Sequence, residues 1–190
     1  MKKVKGIALI LCIALFFAAC ARELPDPALA VKDFYEHSVK SVDGEMAKLL
    51  LETPDIKTLA EDLPELQAPL EAMVEAYIND INYKIIGEET ILENKEGTAQ
   101  VLVEVDCINL SELHNAVKPL VVEKSDEIMA TGRAATEEEL NAFYIETATQ
   151  LIADGEIERI SGYQNVELVY DEETEKWEIT NTETIINDLI

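Results

Sequence analysis

The spacing of apolar positions changes several times along the chain and divides it into helices and strands. Apolar and small residues three and four positions apart predict an amphipathic helix that begins at Pro27, with Asp26 as its N-cap. The same spacing predicts a short second helix over Glu45–Leu51 and a longer one over residues 69–81. Residues 54–64 show no clear period, and we expect a connection there.

The period then falls from 3.6 to 2, which is typical of strands with one buried face. Residues 82–93 and 98–109 form one predicted hairpin, joined by the turn Asn94-Lys95-Glu96-Gly97. Residues 163–170 and 176–180 form a second, joined by the acidic turn 171–175. Alternation places one set of side chains on the inward face of the sheet: Tyr83, Ile85, Val101, Val103, Val105, Val166, Leu168, Trp177 and Ile179.

Two helices are predicted between the hairpins. Residues 111–130 have helical character, but Pro119 lies beyond the first turn and is expected to kink or split the helix. Residues 136–153 open with a capping box formed by Thr136 and Glu139, and 184–190 are expected to add a helical turn. The pattern predicts one α+β domain over residues 28–190. It contains a four-stranded antiparallel sheet of two hairpins, packed by N-terminal helices, with a helical insertion between the hairpins.

The first twenty residues have the order of a secretory signal. Lys2, Lys3 and Lys5 precede an uncharged aliphatic run, and the small residues Ala18 and Ala19 lead into Cys20. The uncharged stretch 6–21 is 16 residues long, shorter than the roughly 20 residues of a membrane-spanning helix. These residues therefore predict export across a membrane.

The segment Phe17-Ala18-Ala19-Cys20 resembles the lipobox of bacterial lipoproteins, although that family usually has Leu where Phe17 stands. The resemblance implies a diacylglycerol on the Cys20 sulfur, with palmitate among the expected acyl chains, and cleavage that leaves Cys20 as the first residue. The chain then divides into a signal peptide (1–19), a lipid-anchored tether (20–27) and the domain (28–190), held at a membrane outside the cytoplasm. The alternative is an ordinary secretory signal in which Cys20 has no role.

Acidic residues dominate the charge. The chain has 15 basic and 39 acidic residues, a net charge of −24. Removal of residues 1–19 takes away three lysines and no acidic residue, which leaves a net charge of −27. This balance argues against nucleic acid, whose binders need clustered cations, and against adsorption to anionic lipid. It favours cationic partners, with an affinity that falls as salt rises.

Three segments resemble the nuclear transport factor 2-like, or cystatin-like, cone of small bacterial lipoproteins of unknown function. They are Ser41-Val-Asp-Gly-Glu-Met-Ala-Lys-Leu-Leu50, Ala99-Gln-Val-Leu-Val-Glu-Val105 and Glu175-Lys-Trp-Glu-Ile-Thr180. The resemblance implies a cavity between sheet and helices that often holds a small ligand, and a sheet face that often forms homodimers. The expected pocket-lining residues are Phe34, Tyr35, Tyr83, Val103, Val105, Tyr170 and Trp177. The alternative is that these side chains fill the core.

Catalytic and metal-binding motifs are sparse in this sequence. It contains no Gly-x-Ser-x-Gly, Gly-rich phosphate loop, His-Glu-x-x-His or Cys-x-x-Cys pattern. His37 is expected to be solvated and Cys107 to be a buried structural thiol. A zinc site of Asp106, Cys107 and His114 is disfavoured, because alternation sends Asp106 and Cys107 to opposite faces of the strand. The acidic segments 137–139 and 171–175 lack the ligand order of a calcium loop.

The leading hypothesis from the sequence is therefore a lipid-anchored, non-catalytic domain without a cofactor, which binds a small ligand or a cell-surface partner. One alternative is a homodimeric assembly lipoprotein. Another is a cone-fold enzyme that uses Glu104 or Asp106 as a general base.

Overall fold

The computed structural model describes residues 24–93 and 96–190. The predicted leader with Cys20, and Asn94 and Lys95 of the predicted turn, lie outside the described residues. The first helices are α1 (Pro27–Phe34), continued by a π-helical turn (Tyr35–Val39), α2 (Glu45–Leu51), α3 (Pro54–Asp62), a 3₁₀ turn (Pro64–Leu66) and α4 (Gln67–Asp80). The remaining elements are β1 (Asn82–Glu93), β2 (Glu96–Ile108), α5 (Leu110–Ala130), α6 (Glu137–Asp154), β3 (Arg159–Asp171), β4 (Lys176–Ile179) and α7 (Thr182–Asn187).

The four strands form one antiparallel sheet in the order β1-β2-β3-β4. Both predicted hairpins are present, and α5 and α6 lie between them in the chain and pack against each other, while α6 also packs against α4. The predicted α+β class, the antiparallel sheet and the helical insertion are therefore confirmed.

The inward face of the sheet carries the core. Val101 and Val103 of β2 and Val166 of β3 have no exposed surface, and α1 packs across β1, β2 and β4. The outward face is less covered, since Leu102, Tyr163 and Val169 are each at least two-fifths exposed. Among the described helices, none is long and apolar enough to cross a membrane.

Two buried phenols fasten the C-terminal segment to the core. The Tyr35 hydroxyl donates to Gln164, whose side-chain amide donates in turn to the Ile185 carbonyl at 2.9 Å. The Tyr77 hydroxyl donates to the Leu189 carbonyl. Burial raises the pKa of both phenols, so both keep the proton that these hydrogen bonds require.

Residues 54–62 form a helix where the sequence predicted a connection. Pro54 occupies the first helical turn, where its missing N–H costs nothing. The apolar side chains of α3 pack against a small satellite cluster that includes Leu66, Leu70 and Ile145. Because the apolar face of α3 is short, no helical period can be recognised in its sequence.

Pro119 does not split α5, which runs unbroken as an α-helix from Leu110 to Ala130. Its ring and Asn115, whose carbonyl loses its helical partner, are both on the exposed side of the helix. Water can satisfy that carbonyl, so the helix is continuous and the expected split was wrong.

Candidate functional site

A groove of about 560 Å³ runs between α1 and the edge strand β4, and we call it the α1–β4 groove. The helix side contributes Leu29, Asp33, Phe34 and His37, and the strand side contributes Glu175, Lys176, Trp177 and Ile179. Asp26 and Thr182 lie at its margins. Local sequence fixes where the helix side of the groove begins, because Asp26 caps the first turn of α1. Its carboxylate accepts a 2.8 Å hydrogen bond from the Ala28 N–H.

The floor of the groove is apolar and aromatic. Phe34 and Trp177 are nearly buried, at 8% and 7% exposure, while Leu29 is 63% exposed at the mouth. Trp177 packs edge-on against Tyr170, with ring centroids 5.3 Å apart. Its indole N–H donates to the Pro25 carbonyl at 2.5 Å, which fixes the ring against the chain that leads into α1. This floor suits an apolar ligand group.

The rim of the groove is charged and mostly acidic. Asp33 and His37 lie one helical turn apart, with 3.4 Å between the Asp33 carboxylate and His37 Nδ1, and both side chains are more than three-quarters exposed. Lys176 adds a cation on the strand side. An apolar floor beneath a polar rim can hold an amphipathic molecule, with its apolar part inward.

Asp26 also faces Glu88 of β1. A hydrogen bond between the two carboxyl groups, with desolvation and the negative charge of Asp26, raises the pKa of Glu88. Glu88 therefore retains its proton to a higher pH than an isolated carboxyl would.

The expected pocket-lining residues divide between the groove and the core. Phe34 and Trp177 line the groove, and Val105 lines a separate cavity on the inward sheet face. Tyr35 and Val103 have no exposed surface, and Tyr170 is 5% exposed. Tyr83 stacks on Tyr35 with centroids 4.5 Å apart, and its hydroxyl donates to Glu36 at 2.7 Å. Desolvation and Glu36 raise the pKa of Tyr83 to about 12.

The two carboxylates considered as general bases lie on the outward face of β2. Asp106 accepts hydrogen bonds from Arg159 at 2.7 Å and from Ser161 at 2.8 Å. Desolvation opposes ionisation of Asp106, but the hydrogen bonds from Ser161 and Arg159 outweigh it and lower the pKa. Glu104 lies in the same strand row as Lys84 and Tyr163. Both carboxylates therefore lie on the face opposite the helices and the groove.

Cys107 and His114 do not come together. The Cys107 thiol is 2% exposed on the inward face, and burial raises its pKa. His114 is exposed on α5, with Nδ1 3.2 Å from the Tyr144 hydroxyl. Within residues 24–93 and 96–190, no group of three His, Cys, Asp or Glu side chains is arranged to hold a metal ion.

Sequence reasoning missed Leu29 and Asp33 on the helix side of the groove. Leu29 and Asp33 lie on the polar side of α1, so periodicity assigns them to solvent. The signal that was available is the isolated Leu29, an exposed apolar residue on an otherwise polar face.

Comparison with known proteins yields one similar structure. The chain is 13% identical to YcdA of Bacillus subtilis, which is described as a candidate lipoprotein, with a TM-score of 0.48. The match covers 84% of this chain and 46% of that chain, so this protein spans less than half the length of its structural neighbour. No protein-family model and no curated protein matches the sequence.

Proposed function

We propose that this protein is a lipid-anchored, extracytoplasmic, non-catalytic domain that binds a small amphipathic ligand in the α1–β4 groove. The observation that carries the proposal is the groove itself, where the buried rings of Phe34 and Trp177 lie beneath an exposed, charged rim. A cell-surface protein partner at the same groove is the other outcome of the test below.

The leader supports the anchored location. Leu24 packs against the core, and the Pro25 carbonyl accepts the hydrogen bond from Trp177. Four residue steps separate Cys20 from Leu24, and they span about 14 Å at most. A diacylglycerol on Cys20 would therefore hold the groove close to the bilayer surface, within reach of amphipathic molecules that leave or enter it.

A non-catalytic role is supported by the state of the reactive groups. Asp106 is held ionised by Arg159 on the outward face, and the Cys107 thiol is buried with a raised pKa. Neither group has the poised pKa and access to substrate that acid–base or nucleophilic catalysis requires.

Native mass spectrometry of the lipidated protein, extracted from membranes and released from detergent micelles, tests the proposal. We expect a monomer that carries an adduct of defined mass in addition to the lipid on Cys20. Leu29→Asn, at the mouth of the groove, should lower occupancy by the adduct at least ten-fold. Val122→Asn is the matched control, because Val122 is 56% exposed on α5, outside the groove, and it should leave occupancy unchanged.

Equal occupancy in both variants would contradict a site in the groove. If the chain carries no adduct but co-purifies with a second protein, and Leu29→Asn abolishes that association, the groove binds a protein partner and not a small ligand.

A homodimeric assembly protein is the second candidate, and the outward sheet face favours it. Leu102 is 40% exposed, Val169 42% and Tyr163 69% on a face that no described helix covers. Sedimentation at high protein concentration distinguishes the two. A dimer that Leu102→Lys converts to a monomer supports assembly through this face, whereas a monomer at all concentrations excludes it.

A further inference from the structure

The first part of β3 forms an uncovered sheet edge. β3 spans 13 residues, but β4 pairs only with its last four, Leu168–Asp171. From Gln164 onward, buried and exposed side chains alternate strictly, whereas the four residues 160–163 are all exposed. Exposure of consecutive residues on both faces indicates that this stretch lacks a neighbour on the β4 side as well as cover from the helices.

The backbone groups along this edge point outward. Asn181 occupies the adjoining part of the edge, where its side chain accepts from the Glu167 N–H at 3.0 Å and donates to the Asn165 carbonyl at 2.8 Å. Backbone direction alternates along a strand, so the N–H and C=O groups of Ser161 and Tyr163 point to the same side. Among the described residues, no strand pairs with Ser161 or Tyr163 on that side. We call residues 160–164 the open β3 edge.

A cavity of about 290 Å³ lies beside the open β3 edge on the inward face of the sheet. Val105, Cys107 and Gly162 contribute to its floor, and Asp188 and Leu189 close one side. A Cβ atom added at Gly162 would meet nothing within 4 Å, so the glycine leaves this space open. In an added strand, the side chain opposite Gly162 would enter the cavity.

The charges around the open β3 edge indicate which kind of added strand it would bind. The open β3 edge carries no charged residue. Exposed Asp154, Glu156 and Glu158 precede it, exposed Asp188 lies at the rim of the cavity, and the cation next to the edge, Arg159, is paired with two carboxylates, Asp80 and Asp106. A second copy of this chain would bring the same acidic groups and a net charge of −27 with it. A basic segment, in contrast, would be attracted by these acidic groups.

We propose that the open β3 edge binds an extended basic segment of another protein by strand addition, with one apolar side chain inserted over Gly162. The pairing supplies backbone hydrogen bonds to Ser161 and Tyr163, and the cavity supplies side-chain selectivity. This surface is separate from the α1–β4 groove and binds a different class of partner.

Calorimetry with a designed probe, the blocked heptapeptide Lys-Val-Lys-Leu-Lys-Val-Lys, tests the proposal at 150 mM salt. The protein is the mature chain, residues 20–190 with Cys20→Ser, which contains every described element. When the central leucine faces Gly162, its neighbouring lysines lie opposite Ser161 and Tyr163 with their N–H groups toward β3. N-methylation of those two lysines should weaken binding at least ten-fold. N-methylation of the two valines, which leaves the net charge and the number of methyl groups the same, should change binding less than three-fold.

A pair of glycine variants gives an independent readout. Gly162→Leu fills the cavity and should weaken binding at least ten-fold. Gly87→Leu is the control, since Gly87 also lies in a strand with open space at its Cβ position, and it should bind the probe as the unmodified chain does.

Three results would overturn the proposal. Equal weakening by both patterns of N-methylation would show electrostatic adsorption without strand pairing. Undiminished binding to a folded Gly162→Leu variant would exclude the cavity. A dimer in sedimentation that Gly162→Leu, but not Leu102→Lys, converts to a monomer would assign this edge to a second copy. If Gly162→Leu does not fold, the methylated peptides on the unmodified chain decide the matter.

Discussion

At the scale of single residues, Arg159 ties three separate parts of the chain together. Its guanidinium contacts Asp80 at the end of α4 at 2.6 Å and Asp106 of β2 at 2.7 Å, and it also donates to the backbone carbonyls of both residues. The Asp80 side chain is only 17% exposed, so this pairing is shielded from solvent better than a surface ion pair.

Removal of this cation is expected to be costly. Arg159→Ala leaves two partly buried carboxylates without a counter-ion and should lower the free energy of unfolding by about 1–3 kcal/mol. Because the folded pKa of Asp106 is lowered, its contribution is present above its usual pKa of 3.8 and is lost as pH falls through the folded value. Urea titrations at pH 7 and at pH 3 should therefore show a difference that shrinks in acid.

Arg133→Ala is the control for that experiment, since Arg133 pairs with Glu139 in an exposed ion pair. It should cause a clearly smaller change at pH 7. An equal loss in the two variants would show that Arg159 has no special role.

The carboxyl pair of Asp26 and Glu88 predicts the opposite pH dependence. A raised pKa stabilises the fold below the usual value of 4.5 and ceases to do so as pH rises through the folded pKa. Glu88→Gln keeps a hydrogen-bond donor toward Asp26 at all pH values, so it should raise the thermal midpoint at pH 7 and lose that advantage below pH 4.5. Thermal unfolding followed by circular dichroism checks this. A midpoint shift that does not depend on pH would contradict the raised pKa of Glu88.

At the scale of elements, the features that depend on neighbouring residues were predicted correctly from the sequence. Thr136 and Glu139 form the expected capping box at the start of α6, and the period-2 segments form β1 and most of β2 as expected. The inward positions of Val101, Val103 and Val166 follow from alternation and were correct. These features need only near neighbours and one buried face.

The missed features depend on distant contacts or on their absence. Helix α3 is held by a small cluster with Ile145 of α6, which no local period reveals. The start of β3 at Arg159 escaped notice because Ser161 and Gly162 break the apolar alternation, and β2 alone holds that stretch in the sheet. The α1–β4 groove also depends on contacts between distant parts of the chain. Phe34 and Trp177 were among the expected pocket residues, whereas exposed Leu29 was not.

Leu24 packs at the other end of the sheet, against Gly97 of β2. A Cβ atom at Gly97 would lie 2.8 Å from a Leu24 methyl and 3.1 Å from the Trp177 ring. Gly97→Ala should therefore lower the free energy of unfolding by about 1–3 kcal/mol through overpacking, and by less in a Leu24→Ala background. Gly162→Ala, with open space at its Cβ, is the control and should be nearly neutral. Chemical denaturation of the four variants checks this, and an unchanged cost without the Leu24 side chain would contradict the docking of Leu24.

At the scale of the whole molecule, one sign of charge dominates. The chain carries 39 acidic and 15 basic residues, and few of the acidic groups in the described residues have a cationic partner. Repulsion among them opposes the compact state and keeps copies apart.

Salt should therefore stabilise the domain. The Debye length falls from about 30 Å at 0.01 M salt to about 8 Å at 0.15 M, which screens the repulsion between surface carboxylates. We expect the thermal midpoint to rise by several degrees over that range. A midpoint that falls as salt increases would show that attractive pairs, such as the Arg159 cluster, dominate the electrostatics.

The proposed anchored location would determine which ligands and partners the domain can meet. It depends on the leader residues Ala18, Ala19 and Cys20, and on the docking of Leu24 so soon after them. The most direct test is mass spectrometry of the N-terminal peptide of the protein purified from membranes of the cells that produce it. The account predicts that this peptide begins at Cys20 and carries a diacylglycerol on its sulfur. A mature chain that begins elsewhere, or an unmodified Cys20, would contradict it.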